Sequence, residues 1–128
     1  MTKKEKLHAL RNDPSVHYNC AQSMFIPFAQ EMGIGEEQAN AIALNFGGGM
    51  GCGSTCGALV GTLMAMGGLG LPQEKREEFI ARFQQEHGCM DCDGLLNGIQ
   101  RRTPEQKVRC DGIIDGCMDW LCRETGLE

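Results

Sequence analysis

A run of glycines broken by cysteines, Gly47-Gly48-Gly49-Met50-Gly51-Cys52-Gly53-Ser54-Thr55-Cys56-Gly57-Ala58-Leu59-Val60-Gly61, constrains this chain more than any other stretch. Glycine loses more backbone freedom on folding than any other residue, so such a dense run is useful only where the chain needs positive φ or close backbone approach. Beyond Thr55 the glycines thin out, and Leu59, Leu63 and Met66 recur at helical spacing, with Ser54 or Thr55 placed as the N-cap. The spacing predicts a loop that feeds a helix, with Cys56 in the helix's first turn. A helix start favours negative charge, so Cys56 is expected to ionise more readily than a free thiol and to serve as a reactive thiolate. Its plainer role is that of a small apolar residue opening a buried helix. Gly57 and Gly61 lie four apart on one face, where they would admit a second backbone.

Nucleotide-binding loops do not fit this stretch. A P-loop requires G-x-x-x-x-G-K-[ST], and no lysine occurs between Lys6 and Lys75. The dinucleotide fingerprint G-x-G-x-x-G fails as well, because Gly49-Met50-Gly51 runs on to Ser54 and Gly51-Cys52-Gly53 runs on to Cys56.

With 128 residues, 41% hydrophobic and 23% charged, the chain reads as a single domain spanning 1–128 with ordinary soluble composition. Its net charge of −5 speaks against nucleic acid or an anionic membrane surface as partner. The uncharged stretch Thr55 to Leu71 is short for a membrane span and carries five glycines, so a buried helix is expected there and no membrane insertion. The start, Met1 to His8, has no apolar run behind its lysines, so a cytoplasmic location without a secretory leader is expected. Eight cysteines in a reducing compartment point to metal binding or redox work rather than to a disulfide framework.

The remaining pattern is helical throughout. Lys3 to Arg11 allows a short charged helix ended by Asn12-Asp13-Pro14. Asn19 caps a helix to Met32 with Ala21, Phe25, Phe28 and Met32 on one stripe, Cys20 in its first turn, and Pro27 placed to kink or split it. Glu36 and Glu37 open a helix to Phe46 with Ala39, Ile42 and Phe46 inward. The central helix is expected to end at Met66, broken by Gly67-Gly68-Leu69-Gly70. Pro72 opens an amphipathic helix with Phe79, Ile80 and Phe83 inward, closed by His87-Gly88. A turn at Cys89-Met90-Asp91-Cys92 comes next, where Asp91 and Asp93 are placed to cap. Thr103-Pro104-Glu105-Gln106 matches a capping box for a last helix with Cys110, Ile114, Cys117 and Leu121 on one face and Cys122 off it. No strand pattern appears. The expected fold is all-α, a compact bundle of about five to six helices with the glycine loop before a central helix.

Four thiols recur in comparable settings: Cys20, Cys56 and Cys92 near helix starts, and Cys110 on the inner face of the last helix. These residues carry a resemblance to the family of redox-active proteins named for its cysteine pattern, C_GCAxxG_C_C. The matching elements are Asn19-Cys20-Ala21-Gln22, the run Phe46 to Gly51 leading into Cys56-Gly57-Ala58-Leu59-Val60-Gly61, then Cys92 with Leu95-Leu96, then Cys110, covering roughly residues 15 to 122. The resemblance implies a small, mainly helical protein in which these four cysteines are redox-active or hold a metal centre. Cys52, Cys89, Cys117 and Cys122 stand outside that pattern.

Three chemistries compete for the thiols. Cys20, Cys56, Cys92 and Cys110 would serve as ligands of an iron–sulfur cluster used for electron transfer with a redox partner protein, with backbone amides around Gly53 and Gly57 tuning the cluster sulfurs. Alternatively the protein is a thiol–disulfide oxidoreductase, Cys56 being the attacking thiolate and Cys20, or the nearby Cys52, the resolving partner. A structural zinc site would use Cys52-x3-Cys56 and Cys89-x-x-Cys92 in an interaction module. Cys117 suits simple packing best, and Tyr18 and Trp120 are expected to pack. His8 and His17 are expected at the surface, His87 at a solvated helix end, and Asp111 and Asp115 as an i, i+4 like-charge pair without a metal partner of obvious geometry. The methionine-rich, glycine-lined surface leaves room for a homodimer.

Overall fold

The computed structural model describes residues 1–128. Helix α1 (Lys3–Arg11) starts in a full capping box, with Thr2 accepting from the Glu5 amide and Glu5 reaching back to the Thr2 amide. It is more than a charged tail, because Leu7 and Leu10 are buried against α8 (Pro104–Thr125). Helix α2 (Cys20–Phe25) opens in a second capping box, Asn19 with Gln22. Pro27 splits the expected Asn19–Met32 helix: a 3₁₀ turn over Ile26–Phe28 separates α2 from α3 (Ala29–Met32), which ends on left-handed Gly33.

Helix α4 (Glu36–Ala43) stops earlier than its sequence suggests, passing into a 3₁₀ turn over Leu44–Phe46. Its buried side is Ala39 and Ala43, whereas Ile42, expected inward, is 44% exposed. Two alanines four apart let α4 lie close on α2, and that choice of face turns Ile42 outward.

The central helix is α5 (Gly57–Gly68), buried along most of its length. It runs through Gly67 and Gly68 before Leu69 caps it, so the glycine pair ends the helix later than expected. Gly61 is where α2 crosses it: a Cβ there would stand 2.8 Å from the Ala21 carbonyl oxygen and 2.9 Å from the Met24 Cβ. Thr62, fully buried, donates its hydroxyl to the Ala58 carbonyl at 2.7 Å, so no polar cost is left in the core. Helix α6 (Glu74–His87) covers the far side through Phe79 and Phe83, with Phe79 against Trp120 of α8 at 4.9 Å between ring centroids. Ile80 is only half-buried, and Gly88 closes the helix in the left-handed conformation.

Two helices complete the fold. The short α7 (Cys92–Leu96) is capped by Asp91, whose carboxylate accepts from the Gly94 amide at 2.7 Å. Thr103 caps α8, accepting from the Gln106 amide, but the Gln106 side chain accepts from the Arg102 amide instead of from Thr103, so the box closes one residue early. The all-α expectation holds, in more segments than the five to six expected because Pro27 divides one helix and α7 adds another. The nearest thing to a strand is a single antiparallel bridge between Thr55 and Asp91. No helix is long and apolar enough to cross a membrane.

Candidate functional site

The glycine run forms a tight left-handed turn rather than a phosphate loop. Gly48, Gly49, Met50, Gly51 and Gly53 all have φ between 60° and 73°. At Gly49 the need is steric as well, since a Cβ would collide with the Ser54 amide and stand 2.8 Å from the Cys92 Cβ. The turn delivers Ser54 and Thr55 to the Thr55–Asp91 bridge. There the Cys56 amide donates to the Met90 carbonyl at 2.8 Å and the Cys92 amide to the Ser54 carbonyl at 2.5 Å. Cys56 and Cys92 are thereby held side by side, Cys56 as the N-cap of α5 in place of Ser54 or Thr55, and Cys92 as the first residue of α7.

The other two family cysteines arrive from packed helices. Cys20 is the first residue of α2, and a Cβ on Gly57 would come 3.1 Å from the Cys20 Cβ, so glycine there lets α2 close on α5. Cys110 lies on the second turn of α8. All four thiols line one pocket of about 20 Å³, walled by Ala58, Leu95, Leu96 and Ile113. Within it Cys20 and Cys110 are near enough for each thiol to shift the other's acidity. The four therefore share one pocket, Cys56 and Cys92 brought together by the Thr55–Asp91 bridge and Cys20 and Cys110 by helix packing.

Their acidities diverge for physical reasons. The neighbouring Cys20 thiol brings Cys110 down to about 7, assisted by the Arg11 guanidinium, while the nearness of Cys110 together with burial pushes Cys20 well above an ordinary thiol. Cys56 reverses the expectation drawn from its helix start. Burial pushes it up to about 11, although the amides of Leu59 and Ala58 act in the opposite sense. Removal from water outweighs the helix terminus at this site.

One side of the pocket is polar. Arg101 donates from both Nη atoms to the Cys92 sulfur at 3.4 Å and pairs with Asp93 at 2.5 Å. Beyond it a cleft of about 800 Å³ opens onto Cys20, Cys92 and Cys110. Sequence reasoning passed over Arg101, Arg11 and the cleft, because their segments are far apart in the chain; Arg101 beside the capping turn at Asp93 was the available signal.

The residues outside the four fall into place individually. Cys52 is exposed on the cleft wall and donates to the Gly49 carbonyl. Cys117 is buried in the core, held up to about 12 by burial, and Cys122 lies 3.7 Å from the Met118 sulfur. Cys89 is half-buried near Gly94. No three Cys, His, Asp or Glu donors converge closely enough to hold a single metal ion, the Cys52, Cys56, Cys89 and Cys92 set included. Gly53 is set against Asp93, whose carboxylate leaves no space for a Cβ, and Gly57 against Cys20. Asp111 and Asp115 are paired across α1 and α8 with Arg11 and His8, each at 2.8 Å. His17 lies on the cleft, and His87 stacks on Phe83 at 4.6 Å.

A protein-family model described as "Putative redox-active protein (C_GCAxxG_C_C)" matches residues 18–123, a span that includes every element lining the pocket. No curated protein and no solved structure matches the chain.

Proposed function

The chain belongs to the redox-active family defined by the C_GCAxxG_C_C cysteine pattern, and from that premise we propose that the Cys20, Cys56, Cys92 and Cys110 pocket is its redox centre, binding an iron–sulfur cluster for electron transfer to a partner protein. The observation that carries this reading is the arrangement of four thiols from four separate elements around one apolar pocket. A single tetrahedral ion, with metal–sulfur bonds of about 2.3 Å, needs all its sulfurs within about 4 Å of one another. Cys20, Cys56, Cys92 and Cys110 would hold a cluster through four thiolates, the ligand type such clusters take. When bound, such a cluster supplies one-electron chemistry. The protein's part is to exclude water with Leu95, Leu96 and Ile113, to hold Cys56 and Cys92 by backbone bonds, and to set charge beside the sulfurs with Arg101.

A second reading has its own support in the placing of Cys20 and Cys110 in the same pocket and on the open cleft, the proximity and access that a dithiol needs to exchange with an incoming disulfide. In that reading Cys110 attacks and Cys20 resolves, Cys56 being too deeply buried for the attacking role expected of it. The exchange balances as two thiols giving up two protons and two electrons to an incoming disulfide, which leaves as two thiols.

Iron, zinc and acid-labile sulfide analysis with a visible spectrum, on protein purified without oxygen, separates these. Iron with sulfide and a charge-transfer band, lost in Cys56→Ser, is the expected result. Metal-free protein that forms a Cys20–Cys110 disulfide under mild oxidant would replace the first reading with the second. Zinc without iron would overturn both in favour of a structural site.

A further inference from the structure

We propose that the cleft beside the thiols is a binding site for a small organic anion carrying two or more carboxylate or phosphate groups. Anion binding there does not rest on the function proposed above.

Charge is the first argument. The chain carries a net −5, yet Arg11, Arg101, Arg102 and Lys107 all line this one cleft. Asp93 pairs with Arg101, and Asp111 is shared between Arg11 and Lys107. Four cations against two carboxylates leave a surplus of two positive charges, with Arg102 having no acidic partner, on a protein whose surface is otherwise acidic. Such a concave, oppositely charged patch concentrates anions.

Size and position are the second. A volume of about 800 Å³ lies within the range of small-molecule sites. Cys20, Cys92 and Cys110 line it together with Arg102 and Lys107, so an anion held by these cations would share the cleft with the sulfurs. The guanidinium of Arg101, already bonded to the Cys92 sulfur and to Asp93, ties the charged wall to the thiol pocket. Arginine's planar fork suits both carboxylate and phosphate oxygens.

Cys52 provides a reporter, since it is exposed on the same cleft and stands outside the four-thiol set. In the native protein its alkylation by anionic iodoacetate, relative to neutral iodoacetamide, is expected to be about threefold faster than the same ratio measured in urea, for two surplus charges near the sulfur after salt screening. The double variant Arg102→Gln, Lys107→Gln should return the ratio to that of the unfolded chain; both side chains are exposed, and the circular dichroism spectrum verifies folding. Millimolar citrate or pyrophosphate should slow labelling by both reagents, where sodium chloride at equal ionic strength does not. Protection by citrate alone identifies carboxylates as the recognised groups, and by pyrophosphate alone phosphates. A ratio unchanged by folding, or protection no greater than chloride gives, overturns the proposal and leaves the metal analysis unaffected.

Discussion

Replacing Gly61 by alanine tests the contact on which the thiol pocket is built. The added Cβ would stand 2.8 Å from the Ala21 oxygen, 2.9 Å from the Met24 Cβ and 3.0 Å from the Ala21 Cα. Favourable carbon contacts begin near 3.5 Å, so α2 and α5 must separate by about half an ångström. Two of the three atoms are backbone and cannot swing aside. Overpacking of this kind costs about 1–3 kcal/mol. Alanine's better helix propensity returns up to about 1 kcal/mol, leaving a net loss of about 1–2 kcal/mol. With an unfolding entropy of about 2.1 cal/mol/K per residue, the loss lowers Tm by about 4–7 °C in this chain. The control is Gly112→Ala in the middle of α8, where nothing lies within 4 Å of the new methyl. There only the propensity gain remains, and Tm should rise by about 2–4 °C. Thermal denaturation followed by circular dichroism measures both. If Gly61→Ala melts at or above the parent while Gly112→Ala behaves as stated, the helices are not in the contact described and the reasoning fails.

Other substitutions address the caps and the thiols. Asn19→Ala removes the bond accepted from the Gln22 amide and the one donated to the Leu44 carbonyl, and should cost about 1–2 kcal/mol, read as a lower urea midpoint at unchanged slope. In reduced, iron-free protein, iodoacetamide labelling of Cys110 should rise with pH as its thiolate forms and reach half its limiting rate near pH 7, while Cys56, held at about 11, stays unlabelled there. Peptide mass spectrometry resolves the two sites, and equal labelling at neutral pH would show that burial does not control them. Cys117→Ala should lower stability by about 1 kcal/mol through lost packing and leave the metal content and visible spectrum as they are; a change in either would bring Cys117 into the centre.

Local rules wrote much of this structure plainly into the chain. The caps at Asn19 and Thr103, the interruption at Pro27, the stop at Gly88 and the close approach at Gly57 and Gly61 each depend on a few neighbouring residues, and each is found where the sequence places it. What failed was settled by tertiary context. Ile42 and Ala43 are both compatible with an inward face, and only the packing of α2 decides between them. The acidity of Cys56 pits a legible feature, its helix start, against an illegible one, its depth, and the second prevails. The four thiols were nameable from their motifs, but the meeting of Cys56 with Cys92 depends on a bridge between Thr55 and Asp91 that no pattern of alternation announces. Arg101 escaped for the same reason, since its role arises from where α7 sets Cys92.

That bridge divides the pocket into two kinds of restraint. Cys56 and Cys92 are lashed together by main-chain bonds next to each thiol, whereas Cys20 and Cys110 are brought in by the packing of α2 and α8. Half of the site is fixed locally and half by the core. A change that loosens the bridge would displace Cys56 and Cys92 together, and one that parts α2 from α5 would carry Cys20 away from them.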